Sequence, residues 1–122
     1  MDGGTTKKRI IGIGVCGPNE KYLENTLKEF QRLCDEFIIA TNNADEATIA
    51  LLESYNAHHY EDNREWGKDQ PNIKTALLER AGDLKPDWII ALDMDEVFAP
   101  EFTREEAERL MDTDEIAYYF LV

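Results

Sequence analysis

Three carboxylates follow a short apolar segment of the chain. Asp93, Asp95 and Glu96 come directly after Trp88–Leu92, which reads W-I-I-A-L. A run of this kind suits a strand buried on both faces, as is typical of a central strand in a parallel sheet. Ligands bind at the carboxyl ends of such strands, and an extended chain places Asp93 and Asp95 on the same side. Two hard oxygen donors suit Mg²⁺ or Mn²⁺ and leave positions open for a phosphate. The alternative is that the acidic residues end the strand and face water.

The charge balance of the chain is strongly acidic. Its 122 residues include 13 basic and 26 acidic side chains, for a net charge of −13. This balance argues against nucleic acid or an anionic membrane surface as a partner, because both attract basic patches. A phosphorylated ligand would also be repelled unless a divalent cation neutralised its site. The acidic composition is therefore compatible with a metal-dependent site.

The length and the hydropathy pattern predict one folded domain over residues 9–122, preceded by a flexible leader over 1–8. No apolar run approaches the length of a membrane span, and the N-terminus lacks the apolar core of a signal peptide. Cys16 and Cys34 lie far apart and outside any C-x-x-C pattern. We interpret them as buried thiols of a reducing, cytoplasmic compartment instead of a disulfide or a redox pair.

Strand and helix patterns alternate along the chain. The predicted strands are Arg9–Cys16, Phe37–Ala40, His58–Tyr60, Trp88–Leu92 and Ile116–Val122. The four predicted helices end at about Leu33, Ser54, Ala81 and Met111. The third begins at about Asn72, after a polar loop over Glu61–Pro71. The fourth begins with a capping box at Thr103–Glu106. This order predicts an α/β fold with a Rossmann-like, mostly parallel sheet and helices on both faces.

Two motifs in these segments resemble ligand sites but favour a structural interpretation. Gly12, Gly14 and Gly17 form a literal G-x-G-x-x-G, yet apolar residues interleave with them, so the first two glycines belong to the strand and not to a dinucleotide-binding turn. His58 and His59 are of a type that binds metals, but adjacent residues of a strand point to opposite faces. A structural or edge role is the better interpretation for both histidines.

Two segments in their order and spacing resemble family 2 glycosyltransferases. Asn19 and Glu20, followed by Leu23 and Leu27, are similar to the N-E opening that comes just after the first strand of that family. The apolar strand that ends in Asp93–Glu96 resembles the family's D-x-D motif, in its D-x-D-E form. The resemblance covers most of the chain, from residue 9 to residue 122.

This resemblance implies a GT-A fold, truncated here, whose first half binds a nucleotide-diphosphate sugar donor. It implies that Asp95 is the main ligand of a Mn²⁺ or Mg²⁺ ion bridging the diphosphate, and that Asp93 contacts the ribose or shares the metal. Glu20, with the backbone around Cys16 and Gly17, would lie near the nucleoside. Such a cation holds the leaving group and offsets its developing charge.

The chain departs from the family pattern at three places. Where the family carries a base-reading aspartate after the second strand, this chain has Thr41-Asn42-Asn43, so Asn43 or Asp45 would substitute. Lys74 would replace the arginine of the family's A-R-N segment. The family's catalytic base lies well beyond the D-x-D, so we expect it beyond Val122, and the acceptor stays unknown. The strand predicted at the C-terminal end would leave an open edge, which favours a homo-oligomer.

Two other classes of function compete with this interpretation. The segment L-D-M-D-E-V at 92–97 also fits the nucleophile motif of haloacid-dehalogenase-like phosphatases, with Asp93 as nucleophile and Asp95 as acid/base. Those enzymes place the motif on an early strand and need a lysine downstream. The remaining alternative is a non-catalytic nucleotide-binding or assembly module. A calcium-binding EF-hand is excluded, because Phe98 and Arg104 stand where that loop needs glycine and glutamate.

Overall fold

The computed structural model describes residues 9–18, 20–92 and 103–111 of the chain. Its elements in chain order are β1 (Ile10–Cys16), α1 (Leu23–Leu33), β2 (Glu36–Thr41), α2 (Glu46–Ser54), β3 (His58–Glu61), α3 (Trp66–Gly82), β4 (Trp88–Ala91) and α4 (Arg104–Met111). The strand predicted over 116–122 lies outside the described residues. The other predicted elements are present, and the α/β class is confirmed.

The four described strands form one all-parallel sheet in the order β3-β2-β1-β4. β1 is paired on both sides, with β2 and with β4. In its register, Ile13 lies opposite Ile38 of β2 and opposite Ala91 of β4. The chain therefore adds β2 and β3 on one side of β1 and returns to the other side for β4.

Helices cover both faces of this sheet, as the sequence predicts. One face packs against α1, α2 and α4, and its buried cluster includes Phe30, Leu52 and Ala107. The opposite face packs against α3 through Leu77 and Ala81. β1 and β2 are apolar along nearly their whole length because their side chains are buried alternately in these two layers.

Gly12 allows α1 to approach β1 closely. A Cβ atom at this position would lie 2.4 Å from Cδ1 of Phe30 and 3.0 Å from Sγ of Cys34. Phe30 is fully buried and stacks on Phe37, with ring centroids 5.3 Å apart. Gly12 therefore serves packing inside a strand, which confirms that the G-x-G-x-x-G pattern is not a dinucleotide-binding turn.

Side-chain caps fix the starts of two helices. Asp45 precedes α2 and accepts a hydrogen bond from the Thr48 backbone N–H at 3.1 Å. Thr103 precedes α4 and accepts one from the Glu106 backbone N–H at 3.2 Å. The Thr103 contact of the predicted capping box is therefore present, and Asp45 caps α2 in the same way.

The third helix is longer than predicted. α3 begins at Trp66, so the prediction of a polar loop up to Pro71 is wrong for residues 66–71. Pro71 lies inside the helix, where it lacks the N–H that would donate to the carbonyl of Gly67. The backbone N–H groups of Lys68 and Asp69 both donate to the carbonyl of Glu65, which begins the helix before the proline. The packing of Ile73 and Leu77 then favours a single helix over a shorter one.

β4 lies beside β1 in the described part of the sheet. Its side chains do face both layers, because Ile90 packs with the α1 side and Ile89 with the α3 side. Within the described residues, however, β4 pairs only with β1, and Ala91 is exposed. The apolar run therefore predicts correctly that this strand packs against both helical layers.

Ionic contacts connect the amino-terminal ends of the strands. Glu36 of β2 accepts a hydrogen bond from Arg9 and contacts His58 Nε2 at 2.8 Å. Arg104 of α4 donates to the carboxylate of Asp35 at 3.0 Å, and this carboxylate also accepts from the N–H of Ile10 at 2.8 Å. These contacts lie at the end of the sheet opposite to the carboxyl ends of the strands.

Candidate site at the carboxyl ends of the strands

The sheet order defines a crevice between β1 and β4. The chain leaves β1 for α1 on one face of the sheet, whereas α3, which leads into β4, covers the other face. Parallel sheets bind ligands where the strand order reverses in this way, outside the carboxyl ends of the two strands. The residues at these ends are Cys16–Gly17 after β1 and Leu92 after β4. The N–H of Leu92 still donates to the carbonyl of Ile13, at 3.1 Å, so the chain follows β1 up to this residue.

Glu20 closes the turn after β1. Its Oε2 accepts a hydrogen bond from the backbone N–H of Gly17 at 3.0 Å. This contact links the strand end to the residues just before α1 and fixes where the Glu20 carboxylate lies. The structure thus brings Glu20 and the Gly17 backbone together in one turn, and their place beside a nucleoside stays a prediction. Asn19, the other residue of the N-E pair, lies outside the described residues.

Cys16 contacts this end of the sheet through its backbone and through its thiol, which donates to the carbonyl of Gly17 at 3.4 Å. Its side chain is fully buried in the α1 layer, and its carbonyl oxygen accepts from the Asn42 N–H at 2.8 Å. Burial raises the pKa of the Cys16 thiol to about 12, with a further contribution from the negative charge of Glu20. Burial likewise raises the pKa of the Cys34 thiol to about 12. Both cysteines are free, buried thiols, as the sequence predicts.

The residues after β2 are held by neighbouring loops. Asn42 donates both of its side-chain N–H contacts to backbone carbonyls, those of Asp62 at 2.7 Å and Arg64 at 2.8 Å. Asn43 adopts a left-handed conformation with φ of 55°, which asparagine tolerates better than most residues. Its backbone N–H donates to Oδ1 of Asn63 at 2.8 Å. Asn43 is exposed, so its carboxamide is placed at the surface of this end of the sheet.

Asp45 is less suited than Asn43 to contact a ligand, because it already caps α2. Its carboxylate accepts from both the side chain and the backbone of Thr48, and these hydrogen bonds lower the pKa of Asp45. The ionised carboxylate also lies favourably at a helix N-terminus. Asp45 is thus engaged as a helix cap, and a nucleotide contact by either residue stays a prediction.

The loop from β3 to α3 carries an ion pair that the sequence analysis missed. Arg64 contacts the Asp62 carboxylate through Nε at 2.8 Å and Nη2 at 2.5 Å. Hydrogen bonding to Arg64 lowers the pKa of Asp62. The side chain of Asp62 is only 9% exposed, while that of Arg64 is 43% exposed. In the sequence, only the D-N-R segment at 62–64, directly after a strand, could have indicated this ion pair, and it does not show that Arg64 pairs with Asp62.

Lys74 lies on the other face of the sheet from Glu20. It occupies the middle of α3 in an exposed position, with Nζ 5.8 Å from the centroid of the Trp66 ring. Trp66, the first residue of this helix, is 38% exposed. The structure therefore does not join Lys74 to the turn formed by Gly17 and Glu20.

The two histidines contact different carboxylates. His58 contacts Glu36 of β2, and Nε2 of His59 lies 3.4 Å from Glu53 of α2. This arrangement on an edge strand agrees with the structural role that the sequence favours for them.

The acidic triplet Asp93, Asp95 and Glu96 lies outside the described residues. Asp93 follows Leu92 directly in the chain, at the end of β4. Among residues 9–18, 20–92 and 103–111, no group of three or more His, Cys, Asp or Glu side chains is placed to hold a metal ion. The same residues contain no helix with the length and apolar character required to cross a membrane.

No known family model matches this sequence, and a search of curated proteins finds no significant match.

Proposed function

We propose that this chain binds a nucleotide-diphosphate sugar through a divalent metal ion and forms the donor-binding part of a glycosyltransferase resembling family 2. In this proposal Asp95 and Asp93 hold Mn²⁺ or Mg²⁺ beside the diphosphate. Glu20 and the backbone at Cys16 and Gly17 lie next to the nucleoside. The acceptor and the catalytic base are outside the proposal.

One observation carries this proposal: the reversal of strand order lies between β1 and β4. The N-E opening follows β1, and the D-x-D follows β4, so the two motifs of the resemblance belong to the two strands that border one crevice. Two short motifs that matched the family by chance would not be expected to follow neighbouring strands. Open α/β sheets bind their ligands at such a crevice.

The donor set suits the proposed cation by its chemistry. Mg²⁺ and Mn²⁺ prefer carboxylate oxygens and share their coordination with substrate phosphates. When bound, such an ion neutralises the diphosphate and stabilises the charge of the leaving group. The chain's net charge of −13 favours such neutralisation, because it repels an anionic diphosphate.

Residues of the described turn orient the nucleoside in this proposal. The contact of Glu20 with the Gly17 N–H orients its carboxylate at the end of β1 in the absence of a ligand. Asn43 offers an exposed carboxamide after β2, where it presents a donor and an acceptor to a nucleobase. Preorganised groups of this kind reduce the ordering that a ligand has to impose.

The phosphatase alternative receives less support from the topology. It requires the acidic motif on an early strand, whereas here the motif follows the fourth strand of the chain. Hydrolysis of a phosphomonoester that is abolished by Asp93→Asn would nevertheless favour the phosphatase. A non-catalytic module would bind a nucleotide and metal without turnover, or bind neither.

A melting-temperature screen tests the proposal. The chain is heated with UDP, GDP, CDP or dTDP, each with Mn²⁺ and with EDTA. At about a hundred times Kd, one nucleotide with Mn²⁺ should raise the Tm by about 5 °C or more. The shift should vanish with EDTA and in Asp93→Asn and Asp95→Asn. A shift that is equal with and without metal would contradict the proposed role of the two aspartates.

A further inference from the structure

Asn42 connects three of the carboxyl-end loops. Its backbone N–H donates to the carbonyl of Cys16 at the end of β1, at 2.8 Å. Its side-chain Nδ2 donates to the carbonyls of Asp62 and Arg64 in the loop after β3, at 2.7 and 2.8 Å. Asn42 is itself the first residue after β2.

The side-chain contacts require an amide at this position. Both partners are carbonyl oxygens, so residue 42 has to supply two N–H donors from one short side chain. An aspartate would place a carboxylate with no donor against the same two oxygens, and the repulsion would push the loop away. Leucine or alanine would leave both carbonyls without their partner.

Two further hydrogen bonds hold the loop after β3, at residues 62–65. The N–H of Asn43 donates to Oδ1 of Asn63 at 2.8 Å, and the N–H of Asp62 donates to the carbonyl of Thr41 at 2.8 Å. The loops after β2 and β3 are thus joined from both sides. We call residues 62–65 the β3 loop.

The β3 loop is connected to the crevice through Asn42. The N–H of Asn42 donates to the carbonyl of Cys16, the residue directly before Gly17, at 2.8 Å. A displacement of the β3 loop would therefore act on the strand end beside Gly17 and Glu20.

We propose that Asn42 is a positioning residue, whose carboxamide locks the β3 loop against the ends of β1 and β2 and so keeps the nucleotide crevice in its binding geometry. The effect of Asn42 on nucleotide binding rests on the proposed function, whereas its effect on the position of the β3 loop does not. Residue 42 falls in the segment where the resembled family carries its base-reading aspartate. Because its carboxamide donors are engaged inside the protein, base recognition falls to a neighbouring group such as Asn43.

Amide hydrogen exchange measured without ligand tests the lock. Asn42→Asp and Asn42→Ala should raise the exchange rates of the Asn43 and Asp62 amides by about tenfold, which corresponds to the loss of one to two hydrogen bonds. The Ile49 amide inside α2 should keep its rate. Asn56→Asp is the matched control, because it adds the same charge at an exposed turn after α2 and should leave the loop amides unchanged.

Nucleotide affinity tests the positioning role. With the nucleotide preferred by the unaltered chain and Mn²⁺, Asn42→Asp and Asn42→Ala should raise Kd by about tenfold at a temperature where each variant is fully folded. A purely structural residue would lower the Tm and leave Kd unchanged in the folded variant. If the Asn42→Asp and Asn42→Ala variants fail to fold, Asn42→Ser, which supplies one side-chain donor instead of two, replaces them in both measurements.

The outcomes separate this inference from the proposed function. Unchanged loop exchange in the folded variants would overturn the lock. Faster exchange with unchanged Kd would overturn the positioning role. An absence of nucleotide binding by the unaltered chain contradicts the proposed function and, with it, the positioning role, while the exchange rates still decide whether Asn42 locks the loop.

Discussion

At the scale of single residues, polar groups at the carboxyl ends of the strands are mostly engaged with one another. Glu20 holds the Gly17 N–H, Asn42 holds the β3 loop, and Asp45 caps α2. These contacts fix the loops before any ligand arrives. Asn43 is exposed beside Asn42 and, unlike Asp45, does not cap a helix, so we favour it as the predicted nucleotide contact.

Gly12→Ala should be strongly destabilising. The new methyl group would lie 2.4 Å from Cδ1 and 2.7 Å from Cε1 of Phe30, and Phe30 is fully buried and cannot move away freely. Overpacking of this kind costs about 1–3 kcal/mol of unfolding free energy. Denaturant titration followed by circular dichroism measures the loss.

Gly82→Ala is the control for this substitution. Gly82 ends α3 and has open space around the added atom, so alanine should be neutral or stabilising by up to about 1 kcal/mol. Phe30→Leu combined with Gly12→Ala should recover part of the loss, since the pair is in contact. Equal stability of Gly12→Ala and the unaltered chain would contradict the packing described for β1 and α1.

At the scale of elements, periodicity predicts most of the fold, and tertiary contacts decide the rest. The apolar pattern of β1 and β2 and the helical spacing of Leu23, Leu27 and Phe30 predict elements that the structure confirms. The start of α3 is missed because Gly67 and Pro71 are typical loop residues, and only packing of the following turns makes the segment helical. The partners of Asn42 are also missed, because they lie about twenty residues away in the chain, too far for local patterns to indicate.

The contact of Glu36 with Arg9 and His58 predicts a pH-dependent contribution to stability. Hydrogen bonds from His58 and Arg9 lower the pKa of Glu36 below its usual value of 4.5. The ionised carboxylate therefore stabilises the folded state above about pH 4.5, and this contribution is lost as the pH falls through the lower, folded-state pKa. Because the group is partly exposed, the expected contribution is about 0.5–1 kcal/mol.

Glu36→Gln tests this expectation. The variant should be less stable than the unaltered chain at pH 7, and the difference in unfolding free energy should shrink as the pH falls below 4.5. Glu79→Gln, on the exposed side of α3, is the control and should give a small difference without this pH dependence. A difference for Glu36→Gln that stays constant from pH 7 to pH 3 would contradict the account of the ion pair.

At the scale of the whole molecule, structural and candidate functional contacts lie at opposite ends of the sheet. Ion pairs of Glu36, Asp35 and Arg104 hold the amino ends of the strands. The carboxyl ends carry the turn after β1, the locked β3 loop and the residue that directly precedes Asp93. This separation allows substitutions at one end to be compared with matched substitutions at the other.

The most direct test of the central claim is calorimetric titration with UDP, GDP, CDP and dTDP, in Mn²⁺ and in EDTA. The account predicts that one nucleotide binds with Mn²⁺, and that both EDTA and Asp95→Asn abolish this binding. Asp83→Asn removes the same charge from the exposed turn after α3 and should leave the affinity unchanged. Absence of binding by any of the four nucleotides, or binding that Asp95→Asn leaves intact, would contradict the claim.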